Sequence, residues 1–306
     1  MAESTIPVDL RNPGQVFACL GLMEAADFLR GDAIGAFTWE QGQGTRFSLT
    51  ANGNEDPVRA SLAFLADPDL DIAAVSPNDW WPSGCPRQSD DPREARKIEK
   101  LRQEISEHIP VDIFPCATPE SGTALPVRLR GKKGRTATLQ HWTDGSSRTS
   151  FKLYSGNRSA LDVMRAMIFG TKDTYGLRQL WEAQRSRMTE RPFDVLTRMR
   201  GSFNLDPRGG WTALGVGYSL DKQDYQVAAS PLVEIFAAWG MEHARPQELA
   251  TRKFGYTVWG TPVPVALARA ALAGSITVNP MRRFEFTLAL SGKNKVTTFA
   301  REAVSD

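Results

Sequence analysis

The sequence predicts an α+β fold in which mixed or antiparallel sheets pack against helices. Short apolar strands alternate with apolar or amphipathic helices along 306 residues, without the β-α-β rhythm of a parallel sheet. Hydrophobic residues make up 41% of the chain, enough to bury a sizeable core. No apolar run is long enough to span a membrane and no leader-like segment opens the chain, so we expect a cytoplasmic protein with no membrane partner.

The first third begins with a predicted strand over residues 6–10 and a helix over residues 12–30. Asn12 is a favoured N-cap, Pro13 suits the first helical position, and Gln15 stands where a capping-box side chain reaches back. The P-loop pattern G-x-x-x-x-G-K-[ST] is absent, so these residues indicate a helix start. The elements expected next are a hairpin of residues 36–40 and 45–49, a helix over residues 57–65 and a charged helix over residues 92–108.

Four prolines between residues 110 and 126 predict a linker. It divides the chain into an acidic α+β lobe, residues 1–126, and a basic α+β lobe, residues 127–306, although a single domain stays open. The second lobe is expected to contain strands at residues 127–130, 137–142 and 150–154, a helix beginning at Ser159, helices at residues 231–242 and 263–273, and strands near Val216 and at residues 225–228, 254–259 and 284–290.

Two segments far apart in the chain resemble each other. Residues 17–21, FACLG, are echoed by residues 236–240, FAAWG. A glycine inside a helix costs about 1 kcal/mol relative to alanine, so its use in both helices indicates close packing against a neighbouring backbone. The echo is also compatible with two weakly related β-helix-β-β lobes or with chance.

Charge is segregated along the chain. Residues 1–127 contain 10 Lys/Arg and 20 Asp/Glu, whereas residues 128–208 contain 17 and 7, although the whole chain carries only +2. Such segregation indicates a polyanion-binding surface beside a surface that avoids polyanions, or a partner of opposite sign. The alternative is two solvated faces that neutralise each other.

Motifs for metal, cofactor and catalytic chemistry are absent from the sequence. The three histidines lie more than thirty residues apart, and the three cysteines are too widely spaced for a zinc knuckle or a disulfide framework. Cys19 lies within an apolar helix, where a thiol is inert. We therefore expect no cofactor, no metal site and no catalytic residue.

The basic middle of the chain predicts contact with nucleic acid. Residues 131–135, GKKGR, form a basic tip, and residues 155–159, SGNRS, place polar side chains at a helix start, where they can face a phosphate or a base edge. Aromatic residues interleaved with these are typical of single-strand binding surfaces, although a solvated sheet rim would have the same composition. The predicted nucleic-acid-binding residues are Lys132, Lys133, Arg135, Arg148, Lys152, Asn157, Arg158 and Arg208, and the positive stretch between them continues through Arg185, Arg187, Arg191, Arg198 and Arg200.

Three blocks of sequence resemble a known family. They are IPVDLRNPGQVFACLGLMEAADFL at residues 6–29, LYSGNRSALDVM at residues 153–164 and FNLDPRGGWTALGVGYSLDKQDYQVAASPLVEIFAAWG at residues 203–240. Together they resemble the CRISPR-associated proteins of type I-U (also called I-G) loci that act as the large subunit of a Cascade-type surveillance complex.

This resemblance implies a role in antiviral defence as a non-enzymatic subunit. Such a subunit assembles with the other Cascade subunits and the guide RNA, recognises the protospacer-adjacent motif (PAM) on target double-stranded DNA, and recruits a helicase-nuclease. The resemblance assigns no residue to a base. In guide-RNA effectors, base pairing reads the target and protein reads only the short duplex motif.

Two other functions stay open at this level. His141, beside Trp142 in the basic region, could act as the general base of a metal-free guide-RNA processing ribonuclease. Alternatively, the chain could be a scaffold that binds only proteins, through Trp80, Trp81 and its acidic surface.

Overall fold

The computed structural model describes residues 1–40, 44–74, 88–107, 127–131, 134–139, 153, 160–199, 201–210, 228–291 and 294–303. It confirms the predicted α+β class, with helices packed on antiparallel sheets. Within these residues the helices are α1 (Pro13–Arg30), α2 (Pro57–Ala66), α3 (Pro92–Glu107), α4 (Ala160–Phe169), α5 (Leu177–Glu190), α6 (Pro231–His243) and α7 (Val265–Leu272). The strands are β1 (Ala2–Pro7), β2 (Ile34–Thr38), β3 (Arg46–Ala51), β4 (Asp71–Ala74), β5 (Val127–Arg130), β6 (Thr136–Leu139), β7 (Thr197–Arg198), β8 (Ala228–Ala229), β9 (Gln247–Ala250), β10 (Lys253–Trp259), β11 (Val263–Pro264), β12 (Met281–Ser291), β13 (Asn294–Thr297) and β14 (Arg301–Glu302).

The N-terminal sheet has the strand order β1-β3-β2-β11 and is antiparallel throughout. Strand β3 lies between β1 and β2, with Ile6 opposite Phe47 and Phe47 opposite Phe37. Because α1 connects β1 to β2, this segment is a split β-α-β unit. Alternate residues of β3 are buried, as expected for a sheet with one face on the core.

Helices α1 and α6 form a buried pair at the centre of the molecule. A Cβ atom on Gly21 would overlap the carbonyl oxygen of Phe236, and a Cβ atom on Gly240 would overlap that of Phe17. Glycine alone allows backbones to approach this closely, which confirms the close packing predicted from the paired mid-helix glycines. Most of each helix is buried all round, and most of the buried side chains are apolar.

A second antiparallel sheet contains β13-β12-β10-β9, with β14 also paired to β12. It packs aromatic rings against α1: the ring centroids of Phe17 and Tyr256 lie 5.6 Å apart, and those of Phe17 and Phe286 lie 6.1 Å apart. The Tyr256 hydroxyl donates to the carbonyl of Leu10, 2.6 Å away, which fixes the segment that leads into α1. The core is therefore shared by α1, α6 and both sheets.

The two halves of the chain repeat one order of elements. Helix α1 is followed by the hairpin β2-β3 and by α2, and helix α6 is followed by the hairpin β9-β10 and, after β11, by α7. A third antiparallel strand flanks the second strand of each hairpin: β1 beside β3 and β12 beside β10. The third strand precedes the helix in the first half and follows the hairpin in the second.

Elements from both sides of residue 126 pack together. Strand β2 pairs with β11, β4 pairs with β5, and α1 packs on α6. One hydrophobic cluster runs through all of these elements. Residue 126 therefore marks a change in charge along the chain, while the described core continues across it.

Several element boundaries in the structure differ from the predicted ones. The first strand is Ala2–Pro7 and not residues 6–10, and residues 263–264 form β11 and not the start of a helix. Helix α5 was not predicted, because its buried stripe is interrupted at Gln184, where φ is −146° and ψ is 42°. The predicted linker, the strand near Val216 and most of the strand at residues 150–154 lie outside the described residues.

Among the described residues, no helix is both long enough and apolar enough to cross a membrane.

Candidate nucleic-acid interface

Two of the eight predicted nucleic-acid-binding residues, Arg135 and Arg208, lie in the part of the chain that the structure describes. In both, the guanidinium group forms hydrogen bonds within the protein. The other six predicted residues lie outside the described residues: Lys132, Lys133, Arg148, Lys152, Asn157 and Arg158.

Arg135 lies at the base of the β5-β6 hairpin and caps α1. Its Nη1 donates to the carbonyl of Phe28, 2.7 Å away, and to that of Leu29. These carbonyls belong to the last turn of α1, where a cation also interacts favourably with the helix dipole. The backbone N–H of Gly131 donates to the carbonyl of Arg135 at 2.9 Å and closes the hairpin. The side chain of Arg135 therefore attaches the predicted basic tip to α1.

A groove of about 370 Å³ lies beside this attachment. Phe64 is part of its lining, and its ring centroid lies 5.9 Å from that of Phe28 and 6.2 Å from that of Trp239. Arg30 forms an ion pair with Glu55 at the rim. Two guanidinium groups are balanced by two carboxylates, so the lining gives no positive excess to attract a polyanion. The lining residues are Leu29, Arg30, Glu55, Ala60, Ala63, Phe64, Asp67 and Arg135.

Arg208 forms a bidentate pair with the buried carboxylate of Asp206. Its Nε lies 2.9 Å from Oδ1 and its Nη2 lies 2.7 Å from Oδ2, while Nη1 donates to the carbonyl of Phe193 at 2.8 Å. Only 22% of the Arg208 side chain is exposed, and that of Asp206 is fully buried. This geometry gives Arg208 a structural role between the segment of residues 203–210 and the turn at Phe193.

Asp206 also joins the N-termini of α1 and α6. The N-cap of α1, Asn12, donates through Nδ2 to Asp206 Oδ1 at 3.0 Å, and the backbone N–H of Ser230, the N-cap of α6, donates to Oδ2 at 3.3 Å. The two helices therefore lie parallel, with both positive dipole ends directed toward one carboxylate. Sequence reasoning missed this residue because a lone Asp before Pro-Arg-Gly reads as a turn.

The helix cap at Asn12 is confirmed, but the predicted capping box is not formed. Asn12 Oδ1 accepts from the N–H of Gln15 at 3.1 Å. Gln15 Oε1 accepts from the N–H of Asp9 at 2.7 Å and not from that of Asn12, because the N–H of Asn12 already donates to the carbonyl of Asp9.

A second buried carboxylate, Glu234, accepts three backbone N–H groups. Its oxygens lie 2.9 Å from the nitrogen of Phe203, 3.1 Å from that of Leu205 and 2.8 Å from that of Asp206. Burial raises the pKa of Glu234 to about 8, although the three N–H donors act in the opposite direction. The residue holds the segment of residues 203–206 against α6.

Exposed arginines lie on α5, directly after it and on β7. Arg185 lies over the Trp181 ring, 5.0 Å from its centroid, and Arg191 pairs with Asp194 at 2.6 Å. Arg198 is exposed on β7. Guanidinium groups at such positions can bind phosphate oxygens, so the α5-β7 stretch offers exposed arginines to a polyanion, although Glu182 and Glu190 are also exposed on α5.

Three ionisable side chains meet at the other end of the α1-α6 pair. Glu24 of α1 receives Arg269 Nε at 2.6 Å and Nη2 at 2.7 Å, and His243 Nε2 lies 3.5 Å from Glu24 Oε2. Burial, followed by the charge of Arg269, lowers the pKa of His243 to about 4, so the imidazole is neutral near pH 7. This cluster connects α1, α6 and α7.

No group of three or more His, Cys, Asp or Glu side chains suited to a metal ion occurs among the described residues. Cys19 is buried in α1, and burial raises its thiol pKa well above the usual range, which suits an inert thiol. His141, Trp80 and Trp81, on which the ribonuclease and scaffold alternatives rest, lie outside the described residues.

Comparison of the chain with protein-family models, with curated proteins and with solved structures finds no match. At the level of class, the fold is α+β, with a buried parallel helix pair between antiparallel sheets.

Proposed function

We propose that this protein is the non-catalytic large subunit of a type I-U (I-G) CRISPR surveillance complex. In this role it binds guide RNA and target DNA, recognises the PAM and helps to recruit the helicase-nuclease. The first support is the resemblance of its three sequence blocks to that family.

The observation that carries the proposal is that the three blocks meet in space. Asn12 of the first block bonds to Asp206 of the third, and Asn204 Nδ2 of the third donates to the carbonyl of Leu153 in the second, 3.0 Å away. Residues 194 and 51 positions apart in the sequence therefore join around one buried segment, residues 203–206.

The charge distribution supports a nucleic-acid role. Polyanion binding depends on lysine and arginine side chains that reach phosphate groups. The exposed arginines of the α5-β7 stretch belong to the block of residues 128–208, which contains 17 basic and 7 acidic residues. The acidic first third would face sister subunits or lie away from the guide RNA.

The test is co-expression with the neighbouring CRISPR subunits and a guide RNA, in complexes with and without this chain. Binding of a target duplex is then measured across a library of flanking motifs. We expect omission of the chain to abolish motif-selective binding. Binding that stays equally strong and equally selective without the chain would overturn the proposal and favour a protein-only scaffold.

A catalytic alternative is tested on the same material. The purified chain is incubated with a repeat RNA in the presence of a chelator, and cleavage is followed over time. We expect no cleavage. Cleavage that His141→Ala abolishes would establish the ribonuclease.

A further inference from the structure

Strands β10, β12 and β14 present an outer face that carries exposed arginines. Phe284 and Phe286 of β12 are buried in the core. Arg283 and Glu285 alternate with them along the strand and therefore point away from the core. Arg301 of β14 lies directly opposite Glu285, so its side chain is on the same outer face.

Both carboxylates on these three strands are already bound to other cations. Lys253 Nζ lies 2.5 Å from Glu285 Oε2, and Arg282 Nε donates to Glu302 Oε1 at 2.6 Å. The two outward arginines are therefore left with uncompensated charge, since neither forms an ion pair with a described residue.

A third exposed arginine, Arg252, lies in the turn that leads into β10 and has an unusual backbone conformation. Its φ is +61°, in the left-handed region that favours glycine or asparagine. Its carbonyl accepts from the N–H of Leu288 at 2.9 Å, which holds the turn beside β12. An arginine at this position carries a conformational cost that no ion pair with a described residue offsets, which indicates that its side chain serves an external contact.

The three arginines form a stripe along the sheet. Arg252 lies beside Leu288, which is five residues after Arg283, so the stripe extends about 17 Å at 3.4 Å per residue. Arg301 lies between them, opposite Glu285. One strand of a nucleic acid carries a phosphate about every 3.4 Å along the helix axis, so about five phosphates would pass over the stripe. Guanidinium groups also match phosphate oxygens in bidentate geometry.

The composition of this face favours nucleic acid over protein as its partner. The centre of a protein–protein interface is enriched in aromatic and other apolar side chains. Here the outward residues of β12 from Arg283 to Thr287 are charged or polar, and Leu249 of β9, which lies against Gly255, adds apolar surface at one margin. Nucleic-acid interfaces are more polar and more positive than protein interfaces, as this face is.

We propose that the arginine stripe of Arg252, Arg283 and Arg301 binds the phosphate backbone of a nucleic-acid strand without reading its sequence. The stripe lies outside the basic block of residues 128–208, so it is a second contact surface. Identifying the strand as guide RNA or target DNA rests on the proposed function. The phosphate contacts themselves rest on the shared face, the uncompensated charge and the conformation of Arg252.

The experiment measures how the purified chain binds fluorescein-labelled DNA and RNA single strands of about 20 nucleotides. Fluorescence anisotropy gives the affinity from about 50 to 200 mM salt. Each phosphate contact to a single strand contributes about 0.7 to the slope of log affinity against log salt concentration, so losing three contacts should flatten the slope by about 2.1. We expect this flattening, with binding weakened more than about tenfold at the lowest salt, in Arg252→Asn/Arg283→Ala/Arg301→Ala.

A matched control removes the same charge from exposed positions on β3, α2 and α3: Arg46→Ala/Arg59→Ala/Arg93→Ala. This variant should keep the slope of the wild-type chain. An equal change in both triple variants would assign the effect to the overall field of the protein and overturn the site.

Arg252→Asn alone separates binding from folding. Asparagine adopts the left-handed conformation more readily than arginine, so the melting temperature should rise while strand affinity falls at least about threefold. Affinity that stays at the wild-type value would remove Arg252 from the site. A melting temperature and an affinity that fall together would make its role structural.

Two further outcomes oppose the proposal. Absence of strand binding by the wild-type chain even at about 50 mM salt would overturn it. A labelled poly-glutamate peptide of similar length is the second probe. If it binds as tightly as the nucleic acids and loses affinity equally in the stripe variant, the face is a site for an acidic protein segment and the nucleic-acid assignment falls.

Failure of the stripe and failure of the proposed function are distinguishable. If the chain does not assemble with CRISPR subunits but the isolated stripe variant loses strand binding, the proposed function fails and the phosphate site stands. If the complex assembles and selects its flanking motif while the isolated stripe variant binds strands as well as the wild-type chain does, the site fails and the proposed function stands.

Discussion

At the scale of single residues, the contact between Gly21 and Gly240 is the most restrictive feature of the core. A glycine to alanine change on an exposed helix stabilises it by about 1 kcal/mol. At these two positions we expect the opposite sign: the added methyl group overlaps a backbone carbonyl, and overpacking should cost about 3 kcal/mol, the upper end of the usual range. Urea unfolding of Gly21→Ala and Gly240→Ala measures this, and stabilisation by either change would contradict the packing.

The buried carboxylate of Glu234 gives a second prediction at this scale. In Glu234→Gln, one acceptor oxygen becomes an amide that faces the backbone N–H groups of Phe203, Leu205 or Asp206. Leaving such a buried donor without an acceptor should cost about 1–3 kcal/mol. Denaturant unfolding at pH 9, where Glu234 with its pKa of about 8 is ionised, gives the value. Glu182→Gln, exposed on α5, makes the same chemical change and is expected to stay within about 0.5 kcal/mol of wild type.

At the scale of elements, the cluster of His243, Glu24 and Arg269 makes the contact among α1, α6 and α7 depend on pH. His243 has a pKa of about 4 in the folded chain, against an ordinary value of 6.5. Below pH 6.5 the unfolded chain therefore binds a proton that the folded chain does not, so stability is lost as pH falls from 6.5 to 4.

The predicted size of this loss is about 1–2 kcal/mol, because one third of the His243 side chain is exposed and solvent reduces the effect. Glu24 and Glu234 also titrate, so the measurement is the difference in unfolding free energy between wild type and His243→Gln at each pH. That difference should change between pH 4 and 6.5 and be constant above pH 7. A difference that is flat across the whole range would refute the assignment.

Some helices of this fold could be predicted from the sequence, whereas one helix and the contacts between helices could not. Helices α1, α2 and α6 were predictable because Asn12, Asp56 and Ser230 cap them and a proline follows each cap. The glycines of FACLG and FAAWG predicted close packing, but nothing local identified each helix as the partner of the other. Helix α5 and the role of Asp206 were missed, because a kink interrupts the first and contacts distant in sequence define the second.

At the scale of the whole molecule, a test of nucleic-acid binding must use residues whose side chains do not also stabilise the fold. Arg135 does not meet this condition. Because its guanidinium caps α1, Arg135→Ala would confuse a lost phosphate contact with a loosened hairpin. Lys132 and Lys133, in the same predicted tip, are the sharper test. In the proposed surveillance complex we expect Lys132→Ala/Lys133→Ala to weaken duplex binding equally for all flanking motifs.

The dependence of that binding on salt provides the decisive measurement. Each phosphate contact contributes about 0.9 to the slope of log affinity against log salt concentration, so losing two contacts should flatten the slope by about 1.8. Arg93→Ala/Lys97→Ala removes the same charge from exposed positions on α3 and controls for net charge alone. If both double variants shift the slope equally, the effect belongs to the overall field of the protein; if only the tip variant does, the basic tip contacts the phosphate backbone.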